Sequence, residues 1–149
     1  MIDEIALLGG SGAVCPALCQ TLRRAGWTVH ELDGAAAHPT TMLVTLPAKT
    51  GDAVAAAQAF AAADGGGRPR LIVLTHLMPL KADWQACREA AILMAFTRHA
   101  ALASAPQDVR VNGIELGGGG VTDEDIADAI LAMWRWRSMT GQTIRLDAR

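Results

Sequence analysis

The sequence predicts an α/β fold: a reduced Rossmann-like three-layer sandwich around a parallel sheet of about six strands. Three observations predict it. Short apolar runs alternate with longer helical stretches along the whole chain. The runs are almost continuously apolar, as strands are when helices cover both faces of a sheet. Glycine and proline mark the junctions, as at Gly26, Pro47 and Gly65–Gly67. At 149 residues the chain fits one domain, 1–149, large enough to bury a core.

The elements follow in order. Ile5–Leu8 is a buried strand that enters the turn Gly9-Gly-Ser-Gly12. A helix is expected from Ala13 to Ala25, with Pro16 in its first turn, where a missing N–H costs little, and Gly26 as its stop. Trp27–Leu32 is the second strand and Thr41–Leu46 the third, closed by Pro47. Asp52–Ala63 is an alanine-rich helix, apolar almost all round and so expected to be buried on more than one side. Leu71–Thr75 is the fourth strand, Asp83–Ser104 a long helix and Val109–Leu116 the fifth strand. Thr122 caps a last helix that runs to about Arg137, its first turn acidic and its end basic, as the helix dipole favours. Thr143–Asp147 is the final strand.

A net charge of −2 and an isoelectric point near 6.0 give no electrostatic footprint for nucleic acid or an anionic membrane, so neither is expected as a partner. The cysteines, Cys15, Cys19 and Cys87, have no metal-ligand or CxxC spacing; they are expected as reduced thiols in a cytoplasmic protein. The histidines His30, His38 and His99 are scattered, and no metal site is expected. The N-terminus has no basic region or cleavage site, and no apolar run is long enough to span a bilayer. The 51% hydrophobic content, much of it alanine and glycine, favours subunit contacts between closely approaching helices.

Val109-Arg-Val-Asn-Gly-Ile-Glu-Leu-Gly117 and Thr140-Gly-Gln-Thr-Ile-Arg-Leu-Asp147 resemble the last two strand regions of the short-chain dehydrogenases/reductases (SDRs). Leu43-Val-Thr-Leu-Pro47, Arg70 to His76 and Ala90 to Arg98 fall, in order, where that family has its middle strands and its long catalytic helix. The resemblance implies the strand order 2-1-3-4-5-6, with two blocks of the family missing. Between Asp33 and Thr41 there is no room for a helix–strand–helix. Between Gly117 and Thr122 there is no room for the segment that closes over substrate.

SDR chemistry runs on a Tyr-x-x-x-Lys pair with a serine nearby, and this chain has no tyrosine. The resemblance puts the tyrosine position on Ala86, the lysine position on Ala90 and the serine position on His76. Alanine moves no proton. His76 is the one group of the three with a suitable ionisation. The dinucleotide fingerprint is broken in the same way. Gly9 matches its first glycine, but Ala13 and Cys15 stand at the other two, where backbone must approach the pyrophosphate. Asp33 falls where an NAD-preferring enzyme holds the ribose.

The resemblance thus implies a non-catalytic subunit with no cofactor of its own. It would assemble, heterotetramer-like, with a full-length active SDR that holds the NAD(P) and would act on a CoA thioester in aromatic degradation. In the family, the helices matching Asp52–Ala63 and Asp83–Ser104 form one subunit interface, and the last helix and strand form another. The expected contact residues are therefore Ala56, Ala59, Phe60, Phe96, Trp134 and Trp136. Two other readings stay open: a small active NAD-dependent oxidoreductase using His76, and a nucleotide-sensing module.

Overall fold

The computed structural model describes residues 3–9, 14–32, 41–47, 50–78, 83–117 and 120–148. Its strands are β1 (Glu4–Leu8), β2 (Thr28–Leu32), β3 (Met42–Thr45), β4 (Arg70–Leu77), β5 (Val109–Leu116) and β6 (Thr143–Leu146). Its helices are α1 (Val14–Arg24), α2 (Thr50–Ala62), α3 (Trp84–Ser104) and α4 (Asp123–Arg135). The six strands form one sheet in the order β2-β1-β3-β4-β5-β6, every neighbouring pair parallel, as the sequence predicts.

Strand parity decides which residue meets which helix layer. On one face Ile5, Leu7, Met42, Val44, Leu71, Val73 and Ile114 pack with Leu18 and Leu22 of α1 and Ile126, Ile130 and Met133 of α4. On the other, Ala6, Leu8, Leu43, Ile72, Leu74, Val109 and Val111 pack with Ala56, Ala57 and Phe60 of α2 and Ala101 of α3. The three layers follow directly.

β4 is longer at both ends than the apolar run Leu71–Thr75. Arg70 pairs in register with Val109 and His76 with Glu115, both polar side chains buried within the ladder. α4 stops at Arg135, two residues before the expected end. Trp136 leaves the helix at ψ 79°, and its N–H still bonds to the carbonyl of Ala132. At the start of α4, Thr122 and Asp125 form a reciprocal capping box, Thr122 Oγ1 accepting from the Asp125 N–H at 3.1 Å. Among the described residues no helix is long and apolar enough to cross a membrane.

Candidate functional site

The C-terminal ends of β3 and β4 open into a cleft of about 720 Å³ roofed by α3. Each wall has a simple origin. His76 shares the parity of Ile72 and Leu74, so it points to the α2/α3 side. Pro47 ends β3, and Thr50 stands in the first turn of α2. Ala86 and Ala90, one helical turn apart, face the cleft with Leu93 beyond them. The structure therefore brings together His76, Ala86 and Ala90, which are 10 and 14 residues apart from His76 in sequence.

His76 is 6% exposed. Both imidazole nitrogens are enclosed and neither has a hydrogen-bond partner. Nε2 lies 3.8 Å from Glu115 Oε1, too long for a hydrogen bond. Burial pushes the imidazole pKa below its ordinary value, and the Glu115 carboxylate opposes that shift only in part. His76 is thus neutral at pH 7, and its nitrogens do not open on the cleft. The two threonines of the cleft are already engaged. Thr75 Oγ1 donates to the carbonyl of Thr45 at 2.5 Å, and Thr50 Oγ1 donates to the Glu89 carboxylate.

On the cofactor side, Gly9 follows β1 with φ 78°, a conformation that suits glycine. Ala13 and Asp33 lie outside the described residues, as does the side chain of Cys15, whose backbone belongs to the first turn of α1. Asp123, at the start of α4, lies against the α1 backbone at Leu18. Burial there raises its carboxyl pKa, with the Leu18 N–H offsetting part of the rise. Of the residues that could hold a dinucleotide, the described part therefore offers Gly9 and the α1 turn, with a carboxylate nearby. Among the described residues no three His, Cys, Asp or Glu side chains gather as a metal site.

The apolar runs do not single out two buried arginines, Arg110 and Arg70, and Arg110 with Asn112 accounts for much of the Val109–Gly117 motif. Arg110 of β5 points to the α1/α4 side, where its guanidinium donates to the carbonyls of Met133 (2.9 Å), Trp136 (2.7 Å) and Trp134 (3.2 Å). It thereby satisfies the orphan carbonyls at the end of α4. Asn112 holds the following loop, donating to Met139 O at 2.9 Å and accepting from the Gln142 N–H at 3.2 Å. Arg70 performs the equivalent task on the opposite face. It donates to Phe60 O (2.7 Å) and Ala63 O (2.8 Å) at the end of α2, with its guanidinium 4.9 Å from the Phe60 ring centroid. Glu115 was also not singled out; it meets His76 only because the β4–β5 register pairs them.

The expected contact residues divide. Ala56 and Phe60 are 3% and 2% exposed and belong to the chain's own core, which corrects their assignment to an interface. The buried face of α2 is Ala53, Ala56, Ala57 and Phe60 alone, so the helix is covered on one side. Its Ala55, Gln58 and Ala62 are exposed and Ala59 is half-buried. Phe96 is half-buried and lines a groove of about 400 Å³ between α2 and α3 with Ala57, Ala61 and Ala100. Trp134 packs inward, edge-on to Trp27 at 5.4 Å, with Arg137 stacked 4.3 Å over its ring. Trp136 is 53% exposed.

No family model matches the sequence, and no curated protein matches it. Solved structures do. A structure described as a small-chain dehydrogenase is 24% identical over 99% of this chain and 97% of its own, with a TM-score of 0.78. A double mutant of a Serratia marcescens short-chain dehydrogenase/reductase is 15% identical, over 97% and 96% of the two chains, with a TM-score of 0.78. A short-chain dehydrogenase from Leptospira borgpetersenii, solved with bound NAD+, is 13% identical over 98% and 91%, with a TM-score of 0.77. The chain has an SDR-like fold. A fold of this kind hosts many functions, and the site has to decide among them.

Proposed function

We propose that this chain is a non-catalytic subunit of an SDR-type oxidoreductase, assembled with a full-length active SDR that holds the NAD(P). The observation that carries this reading is the cleft. Where the chemistry needs a proton donor and a charged partner, Ala86 and Ala90 line the wall; of the ionisable groups beside them, His76 keeps both nitrogens enclosed and the Glu89 carboxylate is taken up by Thr50 Oγ1. Ala13 and Cys15 in place of glycines, and Asp123 beside α1, add to it on the cofactor side. Such a subunit resembles the inactive one in the alcohol dehydrogenase of anaerobic toluene degradation, whose substrate is a phenyl-substituted succinyl-CoA alcohol.

The docking face is the outer side of α2 and α3. Ala55, Ala59 and Ala62 permit close approach, and Ile92 (40%), Met94 (42%) and Leu102 (77%) are exposed on α3. Ala59→Trp should therefore dissociate the assembly and lower its activity while leaving the isolated chain folded; overpacking costs about 1–3 kcal/mol per site. His76→Ala should leave turnover of the assembly near wild type. Light scattering on the co-expressed complex, with a turnover assay, checks both. A hundredfold loss for His76→Ala in an intact complex, the order expected for a removed acid/base, would favour the active-oxidoreductase reading instead.

A further inference from the structure

β2 ends the sheet, with β1 on one side and, among the described residues, no strand on the other. Between Asp33 and Thr41 the chain is too short for the crossover that would add a parallel strand there. The register with β1 decides which backbone groups this edge presents. The Thr28 N–H donates to the Asp3 carbonyl at 3.0 Å, so Thr28, His30 and Leu32 turn their N–H and C=O groups to β1. Val29 and Glu31 turn theirs outward. Among the described residues the amides of Val29 and Glu31 and the carbonyl of Glu31 have no partner, and the Val29 carbonyl has only Arg23 Nη2 at 3.4 Å. Natural edges are commonly blunted by lysine, proline or a bulge. β2, Thr-Val-His-Glu-Leu, has no lysine or proline, and its register with β1 is unbroken.

We infer that the β2 edge pairs with β2 of a second copy of this chain, antiparallel, about a two-fold axis that passes through His30 perpendicular to the sheet. The two six-stranded sheets then join edge to edge. In that register Val29 stands opposite Glu31 of the other copy. Both present outward N–H and C=O groups, so they exchange two hydrogen bonds, and the symmetry repeats them. Charge favours the same register. Val29 and Glu31 lie on the α1 side of the sheet, and Arg23 of α1 reaches the Val29 carbonyl while standing 3.9 Å from the Glu31 carboxylate. The Glu31 of the other copy, opposite Val29, comes within reach of that guanidinium. Each guanidinium then lies between two carboxylates, and each carboxylate between two guanidinium groups.

The neighbouring registers do worse. Centred on Glu31, the pairing sets the two Glu31 carboxylates directly opposite each other. Centred on Val29, it sets Glu31 against Trp27, whose N–H already donates to the Leu22 carbonyl at 3.2 Å. The contact is short and buries less than the roughly 800 Å² per partner of a standard interface, so the dimer is weak, with a Kd on the order of tens of micromolar. It uses neither α2, α3 nor α4, and it does not depend on the subunit reading.

Sedimentation velocity and light scattering of the isolated chain over a range of concentration test it. Wild type should pass from monomer to dimer as concentration rises. Glu31→Pro removes an amide donor that the chain itself does not use, at an edge position where proline is tolerated; it should weaken the dimer by about tenfold or more with an unchanged circular dichroism spectrum. Arg23→Glu and Glu31→Arg should each weaken it by a similar factor, and the double exchange should restore most of the loss. His30→Cys, in a Cys87→Ser background, should give a disulfide-linked dimer on mild oxidation, because side chains opposite each other at the axis have Cβ atoms about 4.5–5.5 Å apart. Thr28→Cys, which faces Leu32 across the pair, should not. A chain that stays monomeric at several hundred micromolar, a dimer indifferent to Glu31→Pro, or crosslinking through Thr28→Cys as readily as through His30→Cys would each overturn the inference. None of these outcomes bears on capture of an active partner through α2 and α3, which co-purification reads separately.

Discussion

Phe60→Ala should cost the isolated chain about 3–5 kcal/mol, the range for truncating a fully buried aromatic. Phe60 is 2% exposed and packs among Ala57, Ile72 and Leu74. Its ring also lies beneath the Arg70 guanidinium, which ties down the end of α2. A domain of this size unfolds with a total stability of about 5–15 kcal/mol, so the loss is a large fraction of what holds it. The melting temperature should fall by roughly 10 °C or more. Urea and thermal unfolding of the chain on its own check this. A residue that served only an interface would leave the isolated chain's stability unchanged, so the same measurement tests the placement of Phe60 in the core.

Arg110→Ala should cost on the order of 3 kcal/mol. The guanidinium donates to three carbonyls at the end of α4, and its removal leaves buried acceptors without partners. Burial and the nearby Arg137 both lower the Arg110 pKa, so part of the gain is offset by the cost of holding a charge there. Arg110→Lys should recover only part of the loss, since a single ammonium cannot reproduce the planar fork that reaches Met133, Trp134 and Trp136 together. Because Trp134 lies edge-on to Trp27 and under Arg137, a change in tryptophan fluorescence should accompany the alanine variant. Chemical denaturation followed by fluorescence gives both readouts.

The layers were legible because short apolar runs, glycine stops and helix caps agree with one another along the chain, and the strand order followed from the resemblance to the SDRs. Thr122 is an example: its capping role follows from a threonine standing three residues before an acid. The errors arose where pattern is silent. An all-apolar run such as Ala53 to Ala57 has no polar face to set its phase, so the sequence does not say whether Ala56 or Ala59 turns inward. Arg70 and His76 fall outside the strand that the apolar run predicts because polar residues end such a run; the groups they meet come from α2 and β5. The cluster of His76, Ala86 and Ala90 was legible through the family's spacing, while Glu115 entered only with the strand register.

The central claim is that this chain keeps an SDR-like frame without cofactor chemistry of its own. Calorimetric titration of the isolated, folded chain with NAD+, NADH, NADP+ and NADPH tests it most directly. The expected result is no heat of binding with any of the four, because the resemblance puts Ala13 and Cys15 at two of the fingerprint glycines and the proposed reading puts the cleft's Ala86 and Ala90 at the catalytic pair. Saturable micromolar binding of one of them would contradict the account and return the chain to the class of active oxidoreductases.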